Sequence, residues 1–94
     1  MPTNNRKVLV LARRDPVEAM RVAAGLTIFG HDIRLIFMGQ VLSEEIMASE
    51  HAELLELADI EPETTVQEMA EYMNVVAEPD LVKALQSSDG VINI

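Results

Sequence analysis

A doubly wound, mainly parallel α/β sheet is predicted by three features of this chain. Residues 8–12 and 33–38 are apolar runs with almost no polar alternation, the pattern of strands buried on both faces. Between them lies a helical segment long enough for the crossover that parallel strands require. Strand and helix patterns then alternate to the end, in the order β-α-β-α-(α)-β-α-β, with right-handed crossovers expected. Four strands are expected, and a fifth is possible near residues 60–66.

The first strand spans about residues 7–12 and follows a polar lead-in, residues 1–5, that contains Pro2. It ends in Arg13-Arg14-Asp15-Pro16. Asp15 suits an N-cap, Pro16 the first helical position, and Glu18 has capping-box spacing. The helix should reach Phe29, with Ala19, Val22, Ala23, Leu26 and Phe29 on one apolar stripe. Gly30 falls where a left-handed C-cap residue belongs. His31-Asp32 leads into the second strand, and Gly39 lets the chain turn after it.

Ser43 is the next N-cap candidate, with Glu44 and Glu45 in the first turn. This second helix is expected to run unbroken to about Ala58, with Met47, His51, Leu54, Leu55 and Ala58 on one face. Pro62 ends helical structure, so residues 60–66 read at most as a short edge strand. Thr65 and Glu68 again have capping-box spacing, and Val66, Met69, Ala70 and Met73 recur at helical intervals. A short helix over 66–72 follows from that. Residues 74–76 read as a brief strand. Pro79 opens a helix over 80–87 that buries Leu81, Val82 and Leu85, Asp89-Gly90 turns the chain, and residues 91–94 form a closing strand.

Length and composition narrow the function. Ninety-four residues make a single domain with a small core, which association with other chains would help. Only Phe29, Phe37 and Tyr72 are aromatic, so the core must be aliphatic, with Met38, Met47, Met69 and Met73 as filler. No signal peptide or membrane-spanning run is visible, and cysteine is absent; both fit a cytoplasmic location. The net charge of −9 is uneven: residues 1–40 carry +3 and residues 41–94 carry −12. An acidic surface argues against nucleic acid and anionic membranes, which call for a basic footprint. Most of these carboxylates read as solvated helix faces, and the split also allows the basic half of one chain to meet the acidic half of another.

The run VLVLARRDPVEAMRVAAGLTIFGHDIRLIFMG resembles the start of DsrE/DsrF/DsrH-like proteins, which include the Tus sulfur-relay subunits. The ending NVVAEPDLVKALQSSDGVINI resembles that family's brief strand, short helix and final aspartate-glycine-hydrophobic strand. The resemblance covers roughly residues 1–45 and 72–94. It implies a small flavodoxin-like, three-layer α/β/α domain that forms homo- or hetero-oligomers. Some members carry persulfide sulfur on a cysteine. This chain has none, so it cannot carry sulfur that way by itself. A non-catalytic family member is the expectation that remains.

Ligands of an open parallel sheet bind beyond the carboxyl ends of its strands, here near Arg13, Arg14 and Gln40. Arg13 and Arg14 stand at a helix N-terminus, where a small anion could bind. The plainer expectation is one arginine in solvent and the other paired with a carboxylate from the acidic half or from a neighbouring chain. Asp15 reads as a cap, His31 as a surface residue at the amino edge, and His51 as partly buried. No glycine-rich phosphate loop, nucleophile elbow or HExxH pattern occurs. The sequence therefore supports no catalytic residue, metal site or cofactor, and offers Arg13, Arg14 and Gln40 as candidate ligand-binding residues.

Overall fold

The computed structural model describes residues 6–94; the expected lead-in, residues 1–5, lies outside them. Five strands form one all-parallel sheet in the order β4-β3-β2-β1-β5. They are β1 (Lys7–Ala12), β2 (Asp32–Phe37), β3 (Glu63–Thr64), β4 (Asn74–Val75) and β5 (Gly90–Asn93). Helices α1 (Pro16–Ile28), α2 (Glu44–Met47) and α3 (Glu50–Leu57), with a 3₁₀ turn at Gln67–Met69, cover one face; α4 (Glu78–Ser87) covers the other. This is a small flavodoxin-like three-layer domain. Its strand order differs from the 2-1-3-4-5 order of flavodoxin, because β5 rather than β2 lies beyond β1. The point where the winding reverses is therefore the β1–β5 border. Among the described residues, no helix is long and apolar enough to cross a membrane.

Strand alternation divides the core into two layers. Val10, Ala12, Leu35 and Phe37 face the helix-rich side and pack with Ala19, Met20, Ala23 and Leu55. Leu9, Leu11 and Ile36 face the other side and pack with Val76, Ala84, Met38 and Leu81. Met69 is buried in the larger cluster and Met47 and Met73 pack against it, so the methionines do fill the core.

Several local expectations fail, each for a traceable reason. Phe29 is 79% exposed, because α1 runs beyond the sheet at its amino edge; the buried face of α1 is Ala19, Met20, Ala23 and Ala24. Only half of the capping box forms. Asp15 accepts from the Glu18 N–H at 3.0 Å, but the Glu18 carboxylate turns to Arg21, and the Asp15 N–H donates to the Ile94 carbonyl at 3.2 Å. The second helix is two helices, split at Ser49, whose hydroxyl donates to the Ile46 carbonyl at 2.6 Å and accepts from Ala52 N–H at 3.4 Å. Of its expected apolar face only Leu55 is fully buried, and Leu54 is exposed.

The short helix over 66–72 is only a 3₁₀ turn. Thr65 does not cap it, because its hydroxyl accepts from Gly39 N–H at 2.9 Å, 26 residues away. Strand β3 is not an edge; β4 pairs outside it. On α4 the fully buried residue is Ala84, while Val82 and Leu85 are exposed. Alanine allows α4 to approach β1 closely, and the two larger side chains are left on its flank.

Candidate functional site

The carboxyl ends of β1 and β5 meet at the winding reversal, and the sequence places Arg13 and Arg14 there. The Arg14 and Asp15 N–H groups both donate to the Ile94 carbonyl, at 2.9 and 3.2 Å, which ties the turn to the last strand. A depression of about 310 Å³ lies above this junction, lined by Arg13, Arg14, Asn93 and Ile94. The Arg13 Nε–H donates to Asn93 Oδ1 at 2.8 Å. Within the chain Arg13 therefore meets a carboxamide and not a carboxylate of the acidic half, because strand pairing of Leu11 with Asn93 sets that side chain beside Arg13. Arg14 is exposed, and its guanidinium has no hydrogen-bond or ion-pair partner among the described residues.

Gln40 reaches the same junction from the β2 side. Its Nε2 donates to the Arg13 carbonyl at 3.0 Å. It does not line the depression, and its Oε1 is buried with no hydrogen-bond partner among the described residues. Gln40 therefore braces the β1–α1 turn. The structure brings Arg13, Arg14 and Gln40 together, but only the two arginines face open space. The helix end beside them is already served by Asp15, whose carboxylate caps α1 and sets a negative charge where an anion would approach. Asn93 is the residue that sequence reasoning missed; only the register of two strands 80 residues apart reveals it.

A second polar cleft, of about 490 Å³, opens at the opposite, amino edge beneath the end of α4. Lys7, Asp32, Arg34, Glu61 and Glu63 line it together with Asn74, Ser87 and Ser88. Its central feature is a bidentate pair: Arg34 Nε and Nη2 donate to the two Glu63 oxygens at 2.6 and 2.8 Å. Those hydrogen bonds raise the Arg34 pKa above the ordinary guanidinium value, against the opposing effect of partial burial. Each member neutralises the other, so the pair is structural support rather than a reactive acid or base. His31 lies at this edge too, its Nδ1 accepting from Arg6 N–H at 3.4 Å. His51 is half-buried on α3. Among the described residues, no three His, Asp or Glu side chains converge on a point where a metal could sit.

Compared with known protein families, with characterised proteins and with solved structures, the chain finds no match.

Proposed function

We propose that this chain is a cytoplasmic, non-catalytic DsrE-like subunit that assembles with itself or with a cysteine-bearing relative in sulfur relay or sulfur metabolism. The observation that carries the reading is the exposure of large aliphatic side chains on α4 and on β5. Val82, Leu85 and Val91 stand exposed there, on a chain with no cysteine and, among the described residues, no paired nucleophile and base. A small domain that leaves large aliphatic side chains exposed gains stability by covering them with another chain. The family resemblance, on residues 1–45 and 72–94, supplies the pathway in which such a subunit would serve.

Sedimentation velocity at micromolar concentration and physiological salt tests this, with the chain alone and mixed with a cysteine-bearing DsrE-like protein. The reading expects a dimer or larger species that contains this chain in at least one sample. A strict monomer in both would overturn it.

A second reading is a small-anion site at Arg13 and Arg14, with Gln40 bracing the turn that carries them. The unpartnered Arg14 guanidinium at the winding reversal favours it, and the Asp15 carboxylate weighs against it. A thermal-shift screen with phosphate, nucleotides and sulfur oxyanions tests this reading. It expects stabilisation that Arg13→Ala and Arg14→Ala each abolish; no stabilisation would sink it.

A further inference from the structure

The two edges of the sheet are built differently. At one edge β4 pairs through only two residues, Asn74 and Val75, and the chain then leaves into α4, which carries Pro79 in its first turn. Such brevity is a common way to blunt an edge. At the other edge β5 has four residues, and Ile94 extends the ladder by donating to the Leu11 carbonyl at 2.9 Å. Val91, Ile92 and Ile94 are apolar on both faces of this strand, which is the composition of a central strand. No lysine, proline or bulge protects it.

The ladder shows which backbone groups are open. The Ile94 N–H points to β1, so by alternation Ile92 and Gly90 do as well, and Val91 and Asn93 direct their N–H and C=O groups outward. The faces beside them are apolar. On one side Ile92 and Ile94 pack, half-buried, against the main core. On the other, Val91 is exposed on β5, and Val82 and Leu85 are exposed on α4, the helix that covers this face.

Charge selects the occupant. Asp89 stands at the amino end of β5, and Arg13 and Arg14 stand at its carboxyl end beside Asn93 and Ile94. The Asp89 carboxylate accepts from the Lys7 N–H at 2.8 Å, and an antiparallel copy of β5 brings this end of each chain to the end of the other that carries Arg13 and Arg14, twice by symmetry. On a chain of net charge −9, this is a place where self-association sets opposite charges together.

We infer that β5 is the interface of a two-fold homodimer, in which it pairs antiparallel with β5 of a second copy and joins two five-stranded sheets into one. This rests on the assembly reading above and names the surface and the partner.

The test combines molar mass with amide hydrogen exchange over a dilution series, using the full chain, Val91→Lys and Arg14→Glu. The expected result is a dimer in which the Val91 and Asn93 amides are protected at high concentration and exchange freely on dilution. Each variant should raise the dissociation constant about tenfold or more while leaving the thermal melt of the diluted protein unchanged. The Arg14 side chain is exposed and has no partner among the described residues, so Arg14→Glu keeps the test valid if Val91→Lys fails to fold. A dimer whose Val91 and Asn93 amides exchange freely would overturn this inference and leave assembly through another surface standing. Amides protected at every dilution would show that another segment covers the edge, and would overturn it as well. So would a monomer at all concentrations; in that case the assembly reading would rest on a cysteine-bearing partner alone.

Discussion

Asp59 occupies the position after α3 that most often falls to glycine. Its φ is 58°, in the left-handed region. Its N–H donates to the Glu56 carbonyl at 3.1 Å, and the Ile60 N–H donates to the Leu55 carbonyl at 2.9 Å. That pair of bonds closes a Schellman motif, with buried Ile60 and Leu55 as its apolar contact. Asp59→Gly should therefore stabilise the domain, by about 0.5–1 kcal/mol after the entropy of a freer unfolded chain is subtracted. A urea midpoint that stays or falls would contradict this. The Arg34–Glu63 pair gives a second test. The Arg34 side chain is 42% exposed, so screening reduces the value of the pair, and Arg34→Ala should cost about 1 kcal/mol. The folded-state pKa of Arg34 is raised. Its contribution is fully present below the pKa of the unfolded guanidinium and is lost only as pH rises through the higher folded value. The difference in stability between the native chain and Arg34→Ala should thus stay flat from neutral to moderately alkaline pH, as urea titrations at several pH values can check. Asp15, Ser43 and Gly30 were legible as cap residues because each acts on its own helix end. The roles of Gln40 and Asn93 were not, because their partners lie on other strands.

At the scale of elements, local spacing located structure well and judged its extent poorly. Strands β1, β2 and β5 and helix α1 stand close to where apolar runs and caps placed them. The second helix was misjudged because Ser49 competes with the helical backbone: its hydroxyl takes the Ile46 carbonyl and offers its oxygen to Ala52. Ser49→Ala should cost about 1 kcal/mol, read by chemical denaturation. An unchanged stability would mean that Ser49 does not set the break. The 66–72 segment failed for a related reason. Thr64 and Thr65 spend their hydroxyls on Val66 and Gly39 respectively, and the contact to Gly39 fastens the end of β2 to the turn after β3. On α4 the apolar stripe was visible, but its burial was not. Periodicity identifies an apolar flank, and only the sheet beneath decides whether that flank is covered. Among the described residues α4 is the one helix on its face, and Val82 and Leu85 remain outside.

At the scale of the whole molecule, the order β4-β3-β2-β1-β5 decides what the domain offers to others. It sets an apolar strand at one edge, and it gathers the basic turn Arg13-Arg14 at the carboxyl end of that same strand. The candidate site and the candidate interface are therefore neighbours, a relation that no stretch of sequence carries by itself. The central claim is that this chain acts by associating rather than by chemistry of its own. Sedimentation velocity measures that most directly, on the chain alone and together with a cysteine-bearing DsrE-like protein, at micromolar concentration and physiological salt. The account predicts a dimer or larger assembly that contains this chain in at least one of the two samples. A single species with the mass of one 10.4 kDa chain in both would contradict it.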